Sequence, residues 1–144
     1  RPTVDRLQEK ISEINLLIEL TETDKKYQVI KDELVAEIVE LDIKLTQTNE
    51  KIATLNKMAE VLINLKSKDP NSRKLARYDF SKLNLTESIT LEQVTEEIRV
   101  LQEELGHYLY EYERLIIILE EFVKMLNITT NNPNPKFQEN ILMD

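Results

Sequence analysis

Between Leu91 and Leu126 the apolar residues fall at Leu91, Val94, Ile98, Leu101, Leu105, Tyr108, Tyr112, Leu115, Leu119, Phe122 and Leu126, in unbroken steps of three and four. This is a heptad repeat with Leu91 at a and Val94 at d, the period that keeps one seam facing a neighbouring helix. It predicts a helix over 91–127. Thr90 followed by Gln93 forms a capping box at its start, and Asn131-Asn132-Pro133-Asn134-Pro135 lies beyond its end. The stripe changes width along this helix. Glu97, Glu104 and Glu111 occupy the early g positions, whereas Leu115-Ile116-Ile117-Ile118-Leu119 is apolar nearly all round. A helix of that kind must be buried on several sides.

The first half of the chain carries two such registers. Val4, Leu7, Ile11, Ile14 and Ile18 set the first, and Ile38, Leu41, Leu45, Thr48, Ile52, Leu55, Ala59 and Leu62 set the second, one residue out of step. The polar stretch Thr21–Lys26 lies between them and holds no Gly or Pro, which favours a continuous or gently kinked helix over a true break. Thr48 is a polar residue at a d position, a device that fixes register at some cost in stability. Pro70 biases Asp69 away from helical geometry, and Asp-Pro-Asn-Ser is turn chemistry. Tyr78, Phe80, Leu83, Leu85 and Ile89 make the connector too apolar to lie free in water. The organisation expected is a single helical coiled-coil domain over 1–144: helix 3–66, connector 67–90, helix 91–127 and tail 128–144. Phe137, Ile141 and Leu142 give the tail a small apolar cluster that either docks or frays.

These elements predict an all-α fold, an elongated antiparallel helical hairpin or coiled coil with a structured connecting loop and a short C-terminal tail. In that hairpin the second helix covers the first back to about Tyr27. The segment Val4–Leu20 would then project with its own stripe uncovered, at the same end as the wide apolar part of helix two. Two uncovered apolar surfaces imply association with other chains. The expected partner-binding residues are Leu7, Ile11, Ile14, Ile18, Leu109, Leu115, Ile116, Ile118, Leu119, Phe122 and Val123. The alternative is a fold-back at Thr21–Lys26, giving a three-helix bundle that covers the same surface without a partner.

Charge divides along the chain, which has a formal net charge of −8. Residues 87–121 hold ten acidic side chains against Arg99 and Arg114, whereas residues 1–68 are nearly balanced. The acidic second helix disfavours nucleic acid along it and favours a basic or mixed partner, unless it is simply a solvated face. Lys66, Lys68, Arg73, Lys74 and Arg77 cluster around the connector with only Asp69 against them, a candidate contact for phosphate or an acidic protein. There is no Cys and one His, so no disulfide or thiolate site forms within the chain. The longest apolar run, Leu115–Leu119, is far short of the roughly 20 residues that a membrane-spanning helix needs. The chain begins at Arg1 and is read as a processed or excised piece, so missing targeting signals say nothing. Asn84-Leu85-Thr86 and Asn127-Ile128-Thr129 match the glycosylation acceptor pattern by chance in this reading.

No constellation points to catalysis. Glu104 and His107 have the Glu-x-x-His spacing of di-iron bundles, but such a site needs a second copy and His107 is the only histidine. A single Gly, Gly106, excludes a glycine-rich phosphate loop. Within the helix it either admits a close neighbour or is merely tolerated, at a cost of about 1 kcal/mol against Ala. Tyr108 and Tyr112 belong to the seam, and Tyr110 lies outside it. No cofactor is expected.

The residues Tyr112-Glu113-Arg114-Leu115-Ile116 through Phe122-Val123-Lys124-Met125-Leu126, with the Pro-bearing tail after them, resemble kinetochore coiled-coil subunits such as CENP-H and CENP-K. That resemblance implies a nuclear scaffold built by heteromeric helix pairing. The function expected is therefore a non-enzymatic structural subunit, intracellular, pairing with other helical proteins in a hetero-oligomer, with neither nucleic acid nor a membrane expected as a partner. The alternative is an autonomous three-helix binding module that uses the basic loop for an acidic protein or nucleic acid.

Overall fold

The computed structural model describes residues 4–21 and 25–130. Four helices make up the described chain: α1 (Asp5–Thr21), α2 (Lys25–Asn64), α3 (Pro70–Lys82) and α4 (Leu91–Thr130). Among the described residues there is no strand, and no helix is long and apolar enough to cross a membrane. The fold is all-α, with α2 and α4 forming an antiparallel helical hairpin. The expected helix start at residue 3 and the apolar tail cluster at Phe137, Ile141 and Leu142 lie outside the described residues.

By internal packing the chain divides into one unit of Arg1–Lys44 with Tyr108–Asp144, and a second of Leu45–His107. In the first unit, contacts climb α2 as they descend α4. Tyr27 meets Phe122 edge-to-face with ring centroids 6.1 Å apart. Arg114 reaches Glu37 at 3.5 Å, and the Lys44 ammonium sits 5.6 Å from the Tyr108 ring centre. The heptad seams do what their period requires: Ile38, Leu41, Leu115, Leu119, Phe122 and Leu126 are all buried.

The third element of this unit is α1. Where the pattern predicts one helix over 3–66 with its first segment projecting, the structure has two helices, and α1 lies against α4. Arg6 pairs with Glu120 at 3.1 Å, and Val4, Leu7, Ile14 and Leu17 join the core. The reason is energetic. Each of these side chains would forfeit roughly 1.5–3 kcal/mol if left in water, and the all-round apolar part of α4 offers the surface that covers them. The ion pair itself is exposed and adds little.

In the second unit α3 is tied to α2 by an ion pair between Lys57 and Asp79 at 3.6 Å, and Ala76 is the buried residue of α3. The connector thus holds a helix of 13 residues. Its end is a Schellman cap. The Leu85 N–H donates to Phe80 O and the Asn84 N–H to Ser81 O, with Asn84 in the left-handed region at φ 55°. Asn tolerates that conformation better than most residues, which gives Asn84 a local structural role. The start of α4 is the reciprocal capping box read from the sequence: the Thr90 N–H donates to Gln93 Oε1 at 3.0 Å and the Gln93 N–H to Thr90 Oγ1 at 3.2 Å. The seam of α2 shifts near its end, where Val61 is buried and Leu62 only half-buried. Thr48 is buried at its d position.

Two substitutions test this packing. Leu119→Ala, at a position with no exposed surface, is expected to cost about 2–5 kcal/mol in urea denaturation. A methyl group at Gly106 would meet nothing within 4 Å, so Gly106→Ala is expected to raise stability by about 1 kcal/mol through helix propensity alone.

Candidate functional site

Two surface features stand out, both within the second unit. The first is built by α3. Asp69 sits at its N-cap and Pro70 at its first turn, where a missing N–H costs nothing. The Asn71 N–H donates to Asp69 Oδ1 at 3.2 Å, and the Ser72 hydroxyl donates to Asp69 Oδ2 at 2.9 Å. The Ser72 hydroxyl, and after it the Asn71 N–H, hold the Asp69 carboxyl below its ordinary value of 3.8. Arg73 locks the preceding turn, donating from Nη1 to Ser67 O at 2.8 Å.

At 100° per residue the remaining cations of α3 fall on the side away from Ala76. Lys74, Arg77 and Lys82 are exposed there, together with Leu75 at 62% and Tyr78 at 56% exposure. The Lys82 ammonium stands 5.4 Å from the Tyr78 ring centre. Lys66 and Lys68, just before the helix, are exposed as well. Both acids of the segment are engaged, Asp69 in capping and Asp79 with Lys57. Residues 66–82 thus carry six cations against two anions, a local excess of four positive charges on an acidic chain.

Of the basic residues expected from sequence, Lys66, Lys68, Lys74 and Arg77 lie exposed near or on this face, and Arg73 is half-buried and tied to the backbone. Lys82, Tyr78 and Leu75 belong to the same face and were not singled out by sequence. The helical period from Pro70 to Lys82 is the signal that finds them.

The second feature is a groove of about 770 Å³ between residues 47–55 of α2 and 96–101 of α4. Leu55, Val100 and Leu101 give it an apolar lining, with Glu50, Glu96, Glu97 and Lys51 around them. Arg99 is held by Glu96 and Glu103, which lowers the Glu96 carboxyl through the Arg99 hydrogen bond and charge.

The apolar residues expected to bind a partner are placed differently. Leu7, Ile14, Leu115, Ile116, Leu119, Phe122 and Val123 are buried in the first unit, Ile11, Ile18 and Ile118 are half-buried, and Leu109 is exposed. Leu115, Ile116, Leu119, Phe122 and Val123 are covered within the chain, where α1 lies on α4, while Ile117 between them stays 61% exposed. Glu104 and His107 are both exposed on α4, and no metal-holding group of three or more ligand-type side chains occurs among the described residues.

A family model described as the C-terminal helical hairpin domain from relaxase matches residues 5–128, a span from the start of α1 to near the end of α4. No curated protein and no solved structure matches the chain. The match overturns the resemblance to kinetochore coiled-coil subunits, which leaves the nuclear scaffold and the expectation that nucleic acid is no partner without support. Tyr112–Leu126 carried that resemblance through heptad spacing, which any helix packed in a hairpin shares.

The cap of α3 can be tested by pH. The folded-state value of Asp69 lies below 3.8, so its contribution is present above about pH 4 and lost as pH falls through the lowered folded value. Amide exchange at Asn71 and Ser72 is expected to accelerate in that window. Asp69→Ala should show fast exchange at every pH, and Asp69→Asn should retain the cap while losing the pH dependence.

Proposed function

The chain belongs to the family of C-terminal helical hairpin domains from relaxases, and we propose that it is a non-catalytic helical binding module that contacts nucleic-acid phosphates through the basic face of α3. Relaxases process DNA in conjugation, so a module of such a protein works beside a polyanion. The observation that carries the reading is the partition of charge. Residues 66–82 hold an excess of four positive charges, with their two acids engaged, while the chain as a whole is at −8.

Charge averaged over the acidic second helix argues against nucleic acid only along that helix. On α3 Lys74, Arg77 and Lys82 are exposed together, and Tyr78 among them offers a ring on which a base can stack. The acidic remainder of the chain repels a duplex laid along it and so restricts contact to this face. Contacts of this number give weak, salt-dependent binding, of the order of 10⁻⁴–10⁻⁶ M when not sequence-specific. A second reading, helix pairing with another protein, is favoured by the groove between α2 and α4.

Fluorescence anisotropy with labelled single- and double-stranded oligonucleotides tests the first reading. The variant Lys68→Gln/Lys74→Gln/Arg77→Gln/Lys82→Gln spares Arg73, which holds the turn. It is expected to weaken binding at every sequence tested and to flatten the log–log salt dependence by about one unit per lost contact. Tyr78→Ala should weaken single-stranded binding by about 1–3 kcal/mol if the ring stacks on a base. Binding that ignores salt, or an unchanged affinity in the fourfold variant, contradicts the proposal.

A further inference from the structure

We propose that the groove between α2 and α4 in the second unit is a docking site for a basic amphipathic helix of another protein. This surface is distinct from the cationic face of α3, and its chemistry is opposite. Its lining on α2 spans residues 47–55, about 12 Å or two helical turns. That length accepts two or three apolar side chains spaced i, i+3 or i+4, and i+7, the pattern by which a helix lies in a groove. Val100 is 41% exposed and Leu55 is buried, while Leu101 on the α4 seam is only half-buried. The apolar surface is therefore incompletely covered by the hairpin's own two helices.

The charges around it choose the occupant. Glu50 and Glu97 flank the groove and take no ion pair among the described residues. Glu96 also lines it, and Lys51 is the single cation there. Over residues 91–107, α4 carries five glutamates against Arg99. A helix with lysines or arginines flanking its apolar stripe meets complementary charge on this surface, and an acidic helix meets repulsion. A second copy of this chain is disfavoured for the same reason, because it brings its own charge of −8. Nucleic acid is excluded from this face by sign.

The probe is a labelled amphipathic peptide of about 15 residues, long enough to form a helix on binding, with leucines at i, i+3 and i+7 flanked by lysines. Its control carries glutamate at every lysine position. Anisotropy titrations on the whole chain are expected to show the lysine peptide binding about tenfold or more tightly than the control, with affinity falling as salt rises. Val100→Asp changes an exposed position, so thermal melting should be unaltered while peptide affinity drops about tenfold or more. Glu50→Lys/Glu97→Lys should reduce the preference for the lysine peptide. Amide shifts should concentrate at residues 47–55 and 96–101. Equal binding of the two peptides, indifference to Val100→Asp, shifts centred on other surfaces, or a Val100-dependent doubling of the chain's mass would each overturn the proposal. Loss of oligonucleotide binding in the α3 variant does not bear on these outcomes, so the two readings fail separately.

Discussion

The first unit depends on the requirement that the C-terminal half of α4 be covered on more than one side. Leu115, Ile116, Leu119, Phe122, Val123 and Leu126 are all buried, and they do not lie on one narrow stripe. The N-terminal part of α2 covers one side through its heptad residues. A second cover is needed, and α1 supplies it while burying Leu7 and Ile14 completely. Two apolar stripes that would each be unstable in water remove each other from it. The exposed ion pair of Arg6 with Glu120 marks the contact but does not drive it.

With these residues covered from within, the two charged surface features lie in the second unit. In the second unit Lys74, Arg77 and Lys82 are exposed on α3, while Ala76 on the other side of that helix is buried and Asp79 pairs with Lys57 of α2. The acids of α4 gather by the groove, with Arg99 held between Glu96 and Glu103. One acidic chain therefore presents two surfaces of opposite sign. The sites proposed for a polyanion and for a basic helix share no residues, so the two ligands would not compete for them.

Much of the hairpin was legible in the sequence, because heptad spacing and capping chemistry act locally. The seam of α4 and the Thr90–Gln93 box follow from residue types at fixed intervals. The path of α1 was not legible, since no Gly or Pro marks a break between Thr21 and Lys25. What decides it is the non-local surface of α4, and periodicity within α1 is the same whether the stripe meets this chain or another. The cationic cluster was read from composition, but its face was incomplete. Lys82 and Tyr78 join it only once Pro70–Lys82 is known to be helical. The groove was hidden because Val100 is off the heptad seam and draws no attention in a pattern count. Heptad spacing also misdirected the family assignment, being common to every design that pairs helices.

The placement of α1 decides whether the apolar surface of α4 is covered from within the chain. The chain contains no cysteine, so spin labels can be introduced at Arg6 and Glu120 alone and their separation measured by pulsed dipolar spectroscopy in dilute solution. The two side chains touch at 3.1 Å, and a single short distance is the result expected. It should vanish on mixing the two singly labelled chains, since the contact lies within one molecule. If α1 instead continued the axis of α2, Arg6 would lie roughly 30 Å further along that axis. A long or broad distance, or a short one seen only between different chains, would contradict the fold-back and return the apolar surface of α4 to a partner.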